Sequence, residues 1–163
     1  MRLFFALWPP REAADALHRW ALAAQRVCGG RVVRAENIHL TLAFLGEVEE
    51  PPRISVQGHR HSLPIEQARY WAHNQIVWAG PQEIPASLLL LVEHLKKELE
   101  NKGFKGEKRS FAAHVTLIRK AKDPGELPRL PAIDWPVREV VLMQSVPGGQ
   151  GPRYEVLERL PLG

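Results

Sequence analysis

The feature that most constrains this sequence is a His-x-Thr pattern that occurs in two apolar segments. His39 and Thr41 lie in "NIHLTLAFLG", and His114 and Thr116 lie in "SFAAHVTLI". The chain has no other threonine, so each threonine follows a histidine by two residues. Residues i and i+2 of a strand point to the same face. Each segment is therefore predicted to present a histidine beside a threonine on one face while its leucines pack on the other.

The same order of elements precedes both segments, with the two histidines 75 positions apart. The first half begins with a short apolar strand, continues with a helix predicted over 12–27, and reaches its His-x-Thr strand through an Arg-rich connection. The second half has a strand over 74–80, a helix from Ser87 as N-cap to about Lys102, and a basic connection. The sequence therefore predicts an internal duplication of strand, helix, basic loop and His-x-Thr strand.

The rest of the chain predicts additional strands. Alternation in "LPIEQARYWAHNQIVWAG" indicates two strands, 137–144 is a further strand, and "RYEVLERL" is a closing one. Residues 49–61 fit neither a helix nor a strand, because their prolines disfavour a long helix and their alternation is short.

Composition indicates a soluble globular domain. The chain has 163 residues, of which 45% are hydrophobic and 25% are charged, which suits one domain. No apolar run approaches the roughly 20 residues needed to cross a membrane. Cys28 is the only cysteine, which excludes an internal disulfide and a thiolate metal site. We expect a cytoplasmic protein. The net charge of +4 and the basic residues of 102–122 favour an anionic partner, although a solvated positive face is the alternative.

Two imidazoles and two hydroxyls on facing strands favour acid–base chemistry at phosphorus. One histidine can accept a proton while the other donates one, since histidine titrates near neutrality. Threonine hydroxyls can donate hydrogen bonds to phosphate oxygens. Neither motif is paired with a carboxylate, so we expect no metal in this site. His59 and His61 could offer a two-point metal contact, but surface histidines are the simpler interpretation.

The segments "NIHLTLAFLGE", "FAAHVTLIRK" and "SVPGGQGPRYEVLERLPL" together resemble the 2H phosphoesterase superfamily. Within it they are most similar to the bacterial and archaeal RNA 2′,3′-cyclic phosphodiesterases, also called 2′-5′ RNA ligases. The resemblance implies a single α+β domain over residues 1–163 with a bilobal duplicated fold. Two antiparallel sheets flanked by helices would surround a central cleft, and each lobe would give one His-x-Thr-x motif to it.

The implied activity is metal-independent hydrolysis of RNA 2′,3′-cyclic phosphate ends to 2′-phosphates, together with reversible 2′-5′ RNA ligation. The resemblance carries roles to these positions: His39 as proton donor, His114 as proton acceptor, Thr41, Thr116 and Arg119 as phosphate-binding residues, and Phe44, Phe111 and Tyr154 as cleft lining. Packing is the alternative role for the two phenylalanines. No cofactor is implied, and the implied partner is RNA with cyclic ends, tRNA fragments included, bound by a monomer.

Two departures from the family pattern stand out. Ala113 replaces the proline that usually precedes the second histidine, and residues 47–67 are shorter than the family pattern, which predicts that a helix backing the first lobe is missing, truncated or replaced. Two alternatives remain open at this point. One is a 2H phosphoesterase for a small cyclic nucleotide, and the other is a nucleotide- or RNA-binding module that keeps the groove without the reaction.

Overall fold

A computed structural model of the chain describes residues 1–106 and 108–163. The helices are α1 (Arg11–Cys28) and α2 (Ala86–Asn101), and a 3-10 turn spans Ala35–Asn37. The strands are β1 (Arg2–Leu7), β2 (Arg31–Val32), β3 (Leu40–Glu47), β4 (His61–Ile65), β5 (Gln67–Trp71), β6 (Ile76–Gly80), β7 (Val115–Arg119), β8 (Ile133–Val137), β9 (Glu139–Val146) and β10 (Arg153–Pro161).

The strands form two antiparallel sheets, which confirms the predicted α+β class. The larger sheet has the order β10-β9-β1-β3-β7-β6-β5, with β2 beside β7, and the smaller sheet pairs β4 with β8. The two sheets do not carry one motif each. Both His-x-Thr motifs lie at the centre of the larger sheet, on or just before the neighbouring strands β3 and β7.

The larger sheet is weakly joined at its centre. Strands β3 and β7 pair only through Leu40 and Val115, whereas six residues of β1 pair with β3. The single pair divides the sheet into a first half (β10, β9, β1, β3) and a second half (β7, β6, β5, β2). Because residues two apart on a strand share a face, the polar motif residues on the two sides of this seam can face a common groove.

The main core covers one face of the sheet. Helix α1 packs against β7 and helix α2 against β3, so each helix supports the motif strand of the other half. Leucines of both helices join the strand side chains in this core. The apolar residues between the motif positions, Leu40 and Val115, are fully buried in it. Core packing therefore fixes the backbone that carries both histidines.

The opposite face of the first half carries a second, smaller apolar cluster. Phe4, Ala6, Val141 and Met143 are buried there, with Trp8 and Tyr154 packed against them. We call this side of the sheet the cleft face, because His39 lies on it against Phe4.

Several local predictions need correction. Helix α2 starts at Ala86 with Pro85 at its N-cap and no capping side chain, so the prediction that Ser87 caps it was wrong. The extended backbone of Pro85 (φ −55°, ψ 140°) already ends the preceding segment. The expected strand over 110–118 begins only at Val115, and the strand expected over 137–144 is β9 (Glu139–Val146), which Arg138 separates from β8.

The shortened region after the first motif contains neither helix nor strand over 48–60. Ile54 from this stretch is nevertheless buried in the main core. Among the described residues, neither helix combines the length and apolar character needed to cross a bilayer.

Candidate active site

The seam between β3 and β7 brings the two motifs together. In the antiparallel register that pairs Leu40 with Val115, His39 is next to Thr116 and Thr41 is next to His114. Charge coupling agrees with this proximity, because the charge of His114 lowers the pKa of His39. The structure therefore gathers all four motif residues at one place.

Each motif is followed by a bulge. In the pairing of β1 with β3, Phe5 faces Ala43 and Ala6 faces Thr41, which leaves Leu42 without a partner. In the pairing of β6 with β7, Leu117 is passed over in the same way between Thr116 and Ile118. Both skipped leucines are buried. A bulge bends its strand and re-aims the neighbouring side chains, so the residue after each threonine sets the direction of its motif.

Both histidine rings are held by the same local hydrogen bond. Nδ1 of His39 donates to the carbonyl oxygen of Asn37 at 2.7 Å. Nδ1 of His114 donates to the carbonyl oxygen of Ala112 at 3.0 Å. Because a carbonyl can only accept, Nδ1 carries the hydrogen and Nε2 of the neutral ring is a proton acceptor. The hydroxyl of Thr41 lies 3.1 Å from Nε2 of His39.

Aromatic side chains enclose His39 on three sides. Its ring stacks on Trp8 with centroids 4.7 Å apart and an interplanar angle of 7°, and the centroids of Phe4 and Tyr154 each lie 5.2 Å away. We call Phe4, Trp8 and Tyr154 the aromatic wall. Burial is the main cause that lowers the pKa of His39 to about 4; the charges of Arg119 and His114 contribute in the same direction, and the bond to the Asn37 carbonyl opposes the shift.

His114 has a more open environment. Trp71 lies 4.9 Å from its ring and Trp78 meets it edge-on at 6.4 Å. We call these two residues the tryptophan wall. Trp78 is buried, but Trp71 is only partly buried, so part of the Trp71 side chain beside His114 is accessible to solvent.

Arg119 lies at the end of β7 with an exposed side chain. Its charge lowers the pKa of His39 and opposes the rise that burial produces in the pKa of Tyr154. A cation close to both groups can contact an anion held between the histidines.

The three expected lining residues occupy different places. Tyr154 contacts His39 edge-on within the aromatic wall. Phe44 is 64% exposed, with its ring 6.2 Å from Phe4, so the alternative packing role does not describe it. Phe111 packs against the main core, as the packing alternative anticipates.

The sequence analysis missed several residues of the site. Trp8 donates its indole N–H to the carbonyl of Glu36 at 3.2 Å, and Asn37 donates its amide N–H to the carbonyl of Pro152 at 3.1 Å. These bonds hold the turn that supports the His39 ring. Phe4 and Trp8 are four positions apart at strand spacing, and that alternation could have indicated a shared face.

Within the described part of the chain, no three His, Cys, Asp or Glu side chains cluster as metal ligands. Nδ1 of His61 donates to the backbone carbonyl of His59 at 2.8 Å.

Comparison with known proteins agrees with this site. Residues 7–73 match the model of the LigT like phosphoesterase family. The RNA 2′,3′-cyclic phosphodiesterase of Escherichia coli is 33% identical over 99% of this chain and 96% of its own length. The enzyme of the same name from Thermus thermophilus is also 33% identical, over 99% and 90% of the two chains.

Solved structures support the same relationship. Escherichia coli LigT in its apo form superposes with a TM-score of 0.88 at 31% identity, covering 99% of this chain and 96% of that one. LigT complexed with 3′-AMP gives the same TM-score and identity. The chain therefore belongs to the LigT-like phosphoesterase family of RNA 2′,3′-cyclic phosphodiesterases.

Proposed function

We propose that this protein opens RNA 2′,3′-cyclic phosphate ends to 2′-phosphates, with His39 and His114 as the acid–base pair. One observation carries the proposal: both rings are fixed through Nδ1 at the seam, which leaves two Nε2 atoms for proton transfer. The names of the curated relatives support the substrate.

The reaction requires one proton to be taken and one to be given. Nε2 of His114 accepts a proton from water as the water oxygen bonds to phosphorus. The bond between phosphorus and O3′ breaks, and Nε2 of His39 gives its proton to O3′. The product keeps the phosphate on O2′. A 5′-hydroxyl of a second RNA in place of water would form a 2′-5′ linkage in the same step.

The protonation of His39 depends on the substrate. A pKa of about 4 keeps the ring neutral in the free protein at neutral pH. A bound phosphodiester brings a negative charge beside Nε2 and offsets the charges of Arg119 and His114, which raises the pKa of His39. His39 therefore takes up its proton together with the substrate, and the partly buried imidazolium then gives it up readily to O3′.

The remaining site residues bind the phosphate. We assign the hydroxyls of Thr41 and Thr116 to the non-bridging oxygens, where they stabilise the charge of the transition state. Arg119 supplies a compensating cation at the end of β7. All these groups come from one chain, so the proposed enzyme works as a monomer, and we place it in the cytoplasm with RNA.

The direct test is a cyclic-phosphate assay with product mapping. The protein is incubated in EDTA with an oligonucleotide that ends in a 2′,3′-cyclic phosphate, beside the Escherichia coli relative as a positive control. We expect a 2′-phosphate product. Absence of turnover while the control is active would contradict the proposal, and tight product binding without turnover would favour a binding module. A 3′-phosphate product would show that the leaving oxygen is O2′ instead.

A further inference from the structure

A groove of about 550 Å³ adjoins the aromatic wall and takes no part in the proposed proton transfers. Trp8 and Tyr154 belong to both, and Asn37, whose carbonyl holds the His39 ring, also lines the groove. The groove therefore begins one side chain away from His39. We call it the arginine groove, after the residues of its rim described below.

Strand register shows that the floor of the arginine groove continues the cleft face. Met143 pairs with Phe4 on one side and with Val156 on the other, and Val141 pairs with Ala6. Directly opposite residues share a face of the sheet. The floor thus extends from His39 across β1 and β9 to β10, away from the second half. Val156 is 45% exposed, so the outer end of this apolar floor is open.

The rim of the groove is positively charged. Four arginines and two glutamates line it: Arg34, Arg138, Arg153, Arg159, Glu36 and Glu139.

The charges on this rim are only partly compensated. Three of the four rim arginines form solvent-exposed ion pairs that stabilise little and exchange easily: Arg34 with Glu36 at 3.1 Å, Arg153 with Glu155 at 3.1 Å, and Arg159 with Glu139 at 3.0 Å. The side chain of Arg138 forms no ion pair with any residue in 1–106 or 108–163. A phosphate entering the groove would therefore find at least one guanidinium without a carboxylate partner.

We propose that the arginine groove binds the nucleotide on the 5′ side of the cyclic end, and so selects RNA strands over cyclic mononucleotides. This inference rests on the proposed function. A cyclic mononucleotide has a single phosphate, which must lie between the histidines, so the rim arginines are useful only to a substrate with a further phosphate. The apolar floor suits a base, and the volume lies within the range of small-ligand pockets.

The test compares a 2′,3′-cyclic mononucleotide with a trinucleotide that ends in the same cyclic nucleotide. We expect the wild-type protein to prefer the trinucleotide by roughly tenfold or more in kcat/KM. Arg138→Ala should reduce this preference several-fold. Val156→Glu should reduce it further, because it places a negative charge on an exposed floor position. Arg19→Ala, on the solvent-exposed face of α1 behind the sheet, is the matched control and should keep the preference.

Affinity for the 2′-phosphorylated trinucleotide and mononucleotide is measured in parallel, because binding can be read without turnover. If neither cyclic substrate is hydrolysed, the proposed function fails. The affinities still test whether the arginine groove binds the nucleotide on the 5′ side. Equal wild-type affinity for the two products, or an equal loss for both in Arg138→Ala and Val156→Glu, would overturn the inference. The second result would assign the groove to the terminal nucleoside instead.

Discussion

The two walls of the cleft share a backbone design and differ in what surrounds the histidine. Both rings donate Nδ1–H to the carbonyl two residues earlier, and both motifs have a bulge after the threonine. His39 is enclosed by the aromatic wall and has a pKa near 4, whereas His114 lies beside a partly exposed tryptophan. The similar backbone holds both rings through Nδ1, and the different surroundings lower the pKa of His39.

The largest expected effect comes from removing either ring. His39→Ala and His114→Ala should each lower kcat on a cyclic-ended oligonucleotide by about a thousandfold, since general acid–base catalysis contributes roughly 10²–10⁴-fold. The double variant should be little worse than either single one, because the two groups act in one step. His59→Ala, an exposed histidine outside the motifs, is the control. Full activity in either motif variant would exclude the pair as acid and base.

The next effect concerns the pH dependence of the protein's stability, which His39 influences from its place against the aromatic wall. The pKa of His39 in the folded protein, about 4, is below its ordinary value of 6.5, so the unfolded chain binds the proton more readily. Above pH 6.5 His39 is neutral in both states and the free energy of unfolding is not reduced. As the pH falls from 6.5 toward 4, the unfolded chain takes up the proton first and the free energy of unfolding decreases. The loss is on the order of 3 kcal/mol, at about 1.36 kcal/mol per pKa unit.

Urea unfolding of wild type and His39→Gln at pH 7 and pH 4.5 measures this decrease in the free energy of unfolding. The free energy of unfolding should fall more steeply in the wild type than in the variant, since glutamine does not titrate. An equal decrease in the free energy of unfolding for the two proteins would show that the pKa of His39 is not lowered in the folded state. His114→Gln provides the matched comparison from the other wall.

The threonines should matter less than the histidines and to similar extents on both walls. Thr41→Val and Thr116→Val remove one hydroxyl each at nearly constant volume, and we expect kcat to fall by about a hundredfold, as for the loss of one transition-state donor. Circular dichroism would check that the fold is kept. A rise in KM with unchanged kcat in both variants would show that the hydroxyls bind the ground state and the transition state equally.

The smallest effect is expected at the tryptophan wall. Trp71 is partly exposed beside His114, so a base can stack on it, and Trp71→Ala should weaken RNA-product binding by about tenfold. Trp71→Phe should recover most of the affinity, because an aromatic face is restored. Unchanged affinity in Trp71→Ala, measured by fluorescence anisotropy, would assign Trp71 to packing alone.

How much of this site could be predicted from the sequence depends on how local each feature is. The two motifs and their facing positions follow from strand periodicity, and the order of elements follows from local patterning. The aromatic wall does not follow from local patterning, because Phe4, Trp8 and Tyr154 meet only after β9 has paired with both β1 and β10. The bulges at Leu42 and Leu117 depend on partner strands in the same way. The apolar Phe44 is exposed because its strand face opens to the cleft rather than to the core.

The direction of proton transfer is the central claim, and replacing O3′ of the cyclic phosphate with sulfur tests it most directly. A thiol is far more acidic than an alcohol, with a pKa near 8.5 for cysteine, so the sulfur leaves without a proton donor. We predict that His39→Ala recovers most of its lost rate on this substrate while His114→Ala stays impaired. Recovery in His114→Ala instead would reverse the two roles, and recovery in neither would contradict acid catalysis at O3′.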